Sequence, residues 1–289
     1  MTRPATRFGL GTVQFGQAYG ISNTRGRVPA GEVEAILKRA AEAGMGVLDT
    51  AAGYGEAEHV LGTLSPLTRP FRLVTKTIPL RHGLDAVLSR ARQSAVTLGR
   101  KPVELLLVHS AGDLVGEDGQ ALWNGLLALR DQGLFGGIGI SAYVADDPLA
   151  LARKFRPAAM QVPASILDQR LLRSGALSAI KELGIEVHAR SLFLQGLLFL
   201  DEYLLPEKLK PAAPHLRELK RRLKAVGASA LEAALAFAAK TPAIDVGLVG
   251  VTSARELDEI LSAADRPIPD FDWAACALND PLILTPSLW

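Results

Sequence analysis

At 289 residues the chain is long for one ordinary domain and of normal size for one α/β barrel. Hydrophobic residues make up 48% and charged residues 21%, which disfavours disordered and fibrous classes. The net charge of +2, from 32 basic and 30 acidic residues mixed along the chain, gives no argument for nucleic acid. The single cysteine, Cys276, has no intrachain partner, and no Cys/His cluster has zinc-site spacing, so a reducing cytoplasm and no metal are expected. The amino terminus has arginines but no apolar leader core, and no apolar run reaches the roughly 20 residues of a membrane helix, so the chain reads as soluble and unexported.

In chain order, apolar segments that read as strands fall at Arg7–Gly11, Gly46–Asp49, Phe71–Lys76, Val103–His109, Gly137–Ser141, Ala159–Val162, Ile185–Arg190 and Asp245–Val249. Between them lie helical periods. Val33, Ile36, Leu37 and Ala40 share one face, as do Leu84, Val87, Leu88, Ala91, Ala95 and Leu98, and later Leu257, Ile260, Leu261 and Ala264. Gly44, Gly99, Gly133 and Gly184 stand where a left-handed residue would end a helix and turn the chain into the next strand. Eight β-α units favour a closed (β/α)8 TIM barrel over an open doubly wound sheet. A dinucleotide-binding Rossmann unit is disfavoured, because Gly9-Leu10-Gly11 runs into Thr12, Val13 and Gln14 without a third glycine. Leu192–Leu205, broken by Gln195, Gly196, Asp201 and Glu202, reads as a buried loop wall. The piece around Pro206, Pro211 and Pro214, with the charged run Arg217–Lys224, reads as an insertion carrying a solvated surface helix. The tail from Ile268 to Trp289 reads as an irregular cover on the one barrel domain.

Strand ends in a barrel point into the mouth where the loops converge. Asp49 ends the second strand, Tyr54 follows in its loop, Lys76 ends the third strand and His109 the fourth. Lysine and aspartate inside one apolar mouth form an ion pair, because either charge alone carries a desolvation penalty of several kcal/mol. An ammonium beside a phenol favours the phenolate, which makes Tyr54 a ready general acid or base. A neutral His109 can donate a hydrogen bond to a carbonyl oxygen. Singly, each of these residues has an ordinary structural role; together, at the ends of three consecutive strands, they form a candidate site that protonates a carbonyl as a hydride arrives.

These residues and the segments LGTVQFG, LDTAAGYGEAEHVLG, VTK, LLLVHS, GGIGIS, MQVPASILDQ, ARSLFLQGLL and GLVGVTSARELDEIL resemble the aldo/keto reductase superfamily over most of the chain. The resemblance implies a (β/α)8 barrel that reduces an aldehyde or ketone with a nicotinamide cofactor, without metal, as a monomer or loose homo-oligomer. Asp49, Tyr54, Lys76 and His109 would be the catalytic tetrad, with Asp49 also beside the cofactor. By position, Thr12 would lie near the ribose, and Ser141 and Gln161 would hold the carboxamide. Ser191 to Leu197, including Leu192, Gln195 and Gly196, would wrap the pyrophosphate. Gly250 to Glu259, including Val251, Thr252 and Glu256, would enclose the adenosine.

The departures from the family pattern carry their own expectations. Ala142 replaces an asparagine, and Arg190 or Ala189 stands where many relatives stack a tyrosine on the nicotinamide. Gly250 and Glu256 occupy positions that often carry the Lys and Arg of a 2′-phosphate site, so NADH is expected over NADPH. The same departures suit a second reading, a dinucleotide-responsive regulator with a protein partner, like potassium-channel β subunits or the KidO-type regulators of bacterial cell division. A third reading, a Schiff base on Lys76, is weakened by Asp49, which would keep the amine protonated.

Overall fold

The computed structural model describes residues 4–268 and 271–289. Its eight strands are β1 (Phe8–Gly11), β2 (Val47–Asp49), β3 (Arg72–Lys76), β4 (Val103–Val108), β5 (Phe135–Ser141), β6 (Ala159–Pro163), β7 (Glu186–Arg190) and β8 (Val246–Gly250). All pairings are parallel and the sheet closes on itself, β1 pairing with both β2 and β8, as Leu10 does with Leu48 and Val249. Helices between the strands cover the outside: α1 (Ala30–Ala43), α2 (Ala57–Thr63), α3 (Leu84–Thr97), α4 (Gly119–Asp131), α5 (Pro148–Phe155), α6 (Ala176–Glu182), α7 (Ala213–Ala225), α8 (Ala230–Lys240) and α9 (Ala254–Ala264). This is a (β/α)8 TIM barrel.

Alternation along each strand sorts the side chains. Val47, Val74, Leu105, Leu107, Ala159, Val246 and Leu248 fill the barrel interior as one cluster. Leu10, Leu48, Leu73, Leu106, Val108, Ile138 and Val187 face outward, into a cluster shared with the helices. Two positions beyond Val47 and Val74 come Asp49 and Lys76, so the inward parity that fills the barrel also carries these two charges into its mouth.

Helix α1 buries Val33, Ile36, Leu37 and Ala40, as the periodicity predicts. In α3, Val87, Ala91 and Ala95 are buried with Ser94, whereas Leu84 and Leu88 are only partly covered. In α9 the buried alanine is Ala263, not Ala264. Gly44 ends α1 at φ 79°, with its N–H on Ala40 O and Ala41 O.

Strand β5 begins at Phe135, two residues before the predicted start, because Gly136, Gly137 and Gly139 interrupt the apolar pattern. These glycines suit close packing: a Cβ on Gly139 would lie 2.4 Å from Leu107 Cδ2 and 2.6 Å from the Ala159 carbonyl oxygen. The inserted α7 is not simply a solvated helix. Its Leu216, Leu219 and Leu223 are buried in a second cluster with Leu194, Leu197 and Leu198 of the β7 loop and Cys276, Leu278, Ile283 and Leu284 of the tail. The tail is also tied to the loop after β6: Leu278 donates its N–H to Leu167 O at 2.8 Å, and Gln169 donates its amide to Trp273 O. Pro269 and Asp270 of that predicted cover lie outside the described residues.

Candidate active site

Asp49 and Lys76 close β2 and β3 and are buried, at 4% and 1% exposure. Lys76 Nζ donates to Asp49 Oδ2 at 2.6 Å and to the Thr50 carbonyl at 2.9 Å, and Gln161 Nε2 donates to Asp49 Oδ1 at 2.7 Å. Burial alone would pull the ammonium's pKa down. The charges of Asp49 and Tyr54 more than offset it, and the net shift is upward. Lys76 is therefore a protonated, ion-paired cation, unsuited to nucleophilic attack.

Tyr54 sits in the loop between β2 and α2, with Lys76 Nζ 4.9 Å from its ring centroid. Close backbone packing fixes that loop: a Cβ on Gly16 would lie 1.8 Å from the Tyr54 carbonyl oxygen, and one on Gly55, at φ 54°, would lie 2.6 Å from the Gly16 carbonyl oxygen. Behind the loop, buried Glu58 accepts from Arg90 at 2.6 Å, from Ser94 Oγ at 3.1 Å and from Thr75 Oγ1, while Arg90 also donates to the Ala52 carbonyl at 3.4 Å. The acidic pair Glu56 and Glu58 is legible as a helix start, but not the outward-facing Thr75 that makes Glu58 an internal anchor.

His109 lies one residue past the end of β4, not within it. Its N–H donates to Thr77 Oγ1 at 3.2 Å, and its ring meets Tyr54 edge-on, centroids 5.8 Å apart at 81°. Burial first, then the Lys76 and Arg190 charges, push its pKa from 6.5 down to about 4, against the opposing pull of Asp49. At neutral pH the imidazole is uncharged.

Asp49, Tyr54 and His109 open onto a cavity of about 760 Å³ that runs outward over the mouth. Of the expected ligand-holding residues, Ser141, Gln161, Arg190, Ser191, Gln195, Gly196, Gly250, Val251, Thr252, Glu256 and Glu259 all line it. Thr12 and Leu192 do not. Thr12 is wholly buried with its hydroxyl on Asp49 O at 3.0 Å, and Leu192 packs into the space beside Gly247. Lys76 lies behind the wall, reaching it only through its neighbours. The amide nitrogen of Gln161 is engaged by Asp49 rather than turned wholly to a ligand. Glu256 is also committed, accepting the Thr252 N–H and hydroxyl, both at 2.7 Å, and so shaping the entry to α9.

Gln14, Tyr19, Arg25 and Tyr143 also line the cavity, although the sequence assigns none of them an individual role. Gln14 comes from the single helical turn Val13–Gly16 after β1, and Tyr19 and Arg25 from the loop that follows, which has no helical or strand period to signal where it folds. That loop reaches the loop after β7: a Cβ on Gly196, at φ 95°, would lie 2.0 Å from Ser22 Oγ. Ser191, Leu194 and Gln195 also take positive φ of 62°, 45° and 53°, so left-handed backbone concentrates beside the cavity. At the far end, a Cβ on Gly250 would lie 2.9 Å from Gln14 Nε2, and Gln14 Oε1 is buried with no donor among the described residues. A cavity of this volume, lined from Asp49 and Tyr54 to Gly250 and the Gln14 amide with its unpaired oxygen, has the room and the polar groups to take a dinucleotide. Among the described residues no three His, Cys, Asp or Glu are grouped to hold a metal ion, and no helix is long and apolar enough to cross a membrane.

The model of the aldo/keto reductase family matches residues 7–278. The chain belongs to the aldo/keto reductase family. Among similar proteins, an uncharacterised oxidoreductase of Mycobacterium tuberculosis is 29% identical over 280 residues, covering 90% of this chain and 84% of its own length. An aldo-keto reductase of Mycolicibacterium smegmatis is 29% identical over 156 residues, about half of each chain, 51% and 54%. An aldo-keto reductase of Bacillus halodurans, solved in its holo form, shares the fold with a TM-score of 0.73 at 18% identity, covering 91% of this chain and 88% of that one. The protein is thus an oxidoreductase of a family that acts on small-molecule carbonyls with nicotinamide cofactors, and its barrel is the aldo/keto reductase barrel.

Proposed function

We propose that the protein reduces an aldehyde or ketone, with NADH preferred, and that Asp49, Tyr54, Lys76 and His109 perform the protein's part of the reaction. The observation that carries this reading is the buried, charged Lys76–Asp49 pair under Tyr54, with an uncharged His109 against the same ring. A bound reduced nicotinamide would supply the hydride to the carbonyl carbon. Tyr54 gives its hydroxyl proton to the carbonyl oxygen, so the product is an alcohol, and Lys76 stabilises the phenolate left behind. Asp49 keeps Lys76 in place and charged. His109 donates a ring N–H to the same oxygen and, being uncharged, adds no cation that would repel an oxidised ring. Ser141, Gln161, the Ser191–Gly196 turn and the Gly250–Glu259 segment are proposed to hold the cofactor.

Tyr54→Phe is expected to abolish carbonyl reduction, a loss of at least 10²-fold, while NADH still quenches or shifts protein fluorescence with near wild-type affinity. Unchanged turnover rejects the role of Tyr54. The NADH preference rests on Glu256 and Glu259 at the outer end of the cleft, where a 2′-phosphate would meet two carboxylates. Arg255 pairs with Glu259 at 3.1 Å and so offsets that carboxylate in part, which leaves Glu256 as the main repulsive charge. Comparing dissociation constants should give tighter NADH than NADPH; tighter NADPH sinks this part.

One observation favours a regulatory reading beside the enzymatic one. Phe199 lines the cavity, and the same stretch of the loop after β7, expected from the sequence to be a buried wall, instead exposes Tyr203 and Leu204 to solvent, so dinucleotide binding could be reported to a protein partner on that surface. An aldehyde panel run beside a binding assay with and without NADH separates the readings. Robust turnover supports the reductase, and NADH-dependent capture of a defined partner with negligible turnover supports the regulator.

A further inference from the structure

We propose that the carbonyl substrate is an anion, and that Arg190 binds its carboxylate; this deepens the reductase reading and takes the Tyr54–His109 site from it. Arg190 is the last residue of β7, on the same inward parity as His188 and Glu186, and it lines the cavity. Lys76, Arg90, Arg72 and Arg255 each have a carboxylate, respectively Asp49, Glu58, Glu186 and Glu259, and Arg25, the other arginine on the cavity wall, is exposed at its rim. Arg190, half-buried, has no carboxylate within 4 Å among the described residues. Since the charge of Asp49 is answered by Lys76, the guanidinium leaves the inner recess with one positive charge that no carboxylate among the described residues pairs with.

The guanidinium is also held ready for a ligand. It lies over the Tyr143 ring, 4.1 Å from the centroid, donates to the Ala142 carbonyl at 3.3 Å and reaches Ser191 Oγ at 3.5 Å. Two long contacts engage little of a fork with five N–H donors, and stacking on an aromatic face fixes its plane without using them. A half-buried, oriented, unpaired fork calls for a planar two-oxygen acceptor, the geometry of a carboxylate. In the closed sheet β7 is separated from β2 by β8 and β1, so Tyr54 and Arg190 address the mouth from different sides. The molecule they share is an oxo acid or a carboxy-aldehyde long enough to bridge them. Arg190 also stands where many relatives stack a tyrosine on the nicotinamide, and its fork could meet a cofactor phosphate instead; the test separates substrate from cofactor.

With NADH-loaded protein, kcat/KM is measured for 4-carboxybenzaldehyde and for its neutral counterpart 4-methylbenzaldehyde. The anion is expected to be preferred on the order of 10- to 100-fold, with the ratio falling to near one in Arg190→Met and lying between in Arg190→Lys. A wild-type ratio of one or below, or a ratio unchanged in Arg190→Met, overturns the proposal. In parallel, benzoate and benzamide are titrated calorimetrically into the NADH-loaded protein and into Arg190→Met, and NADH affinity is measured for both. Benzoate binding that requires Arg190, with no turnover of any aldehyde, would retain the anion site while defeating the reductase reading. NADH affinity that drops tenfold or more in Arg190→Met while benzoate binding is unaffected would assign the guanidinium to a cofactor phosphate and overturn the proposal.

Discussion

His109 shows how one side chain ties the candidate chemistry to stability. Folding lowers its pKa from 6.5 to about 4, so between these values the unfolded chain binds a proton that the folded chain does not. The contribution is complete above pH 6.5, shrinks as the pH falls toward 4, and amounts to on the order of 3 kcal/mol over that window. Urea unfolding of the wild type and of His109→Gln at pH 7.0 and 4.0 should show the difference between the two proteins narrowing or reversing at the lower pH, because the variant lacks this titration. Parallel pH profiles for the two proteins would contradict it. The charge of Lys76 contributes to that depression, so the cation proposed to assist Tyr54 is also one that keeps its neighbour neutral.

At the scale of elements, the loops after β1 and β7 meet through Gly196 and Ser22, with no space for another atom between them. Gly196→Ala places a methyl group against the serine and an L-residue at φ 95°, a strain of roughly 1 kcal/mol before the contact is counted. The loops are expected to part, and NADH affinity to fall several-fold, with partial recovery when Ser22→Gly is added. Fluorescence titration with NADH checks this, and an unaffected single variant would show that the contact is incidental. The strands themselves were readable because apolar runs ended at charged or glycine positions, and the Asp49–Lys76 pair because two charges closing adjacent buried strands have few other ways to be accommodated. The contact between Gly196 and Ser22 was not readable. It joins two aperiodic loops, and a glycine among LFLQGLL carries no sign of what lies across from it. The stacking of Arg190 on Tyr143 was hidden for a related reason, since it depends on how the chain turns after β5 to bring Tyr143 against the end of β7.

At the scale of the whole molecule, the barrel admits few changes inside. Leu107 occupies the space beside Gly139, and the Ala159 backbone closes the other side, so neither can move far for an added methyl. Gly139→Ala is expected to destabilise the fold by about 2–3 kcal/mol, as overpacking of a filled core does. Thermal or chemical unfolding measures it, and a neutral result would mean that the barrel wall gives way locally. The same glycines hide the first two residues of β5 in the sequence: residues that make room for neighbours contribute no hydrophobic signal of their own.

Closure of the ring by β1 and β8 also governs how the protein is made. The strand synthesised first has one edge that finds its neighbour only when Val246–Gly250 leaves the ribosome. Until then the nascent chain presents an unpaired row of peptide groups beside apolar surface, a template for sticking to other chains. Chains that stop short of β8 are therefore expected to retain the open edge and accumulate in aggregates, which a comparison of soluble yield between the full chain and one ending before Val246 checks.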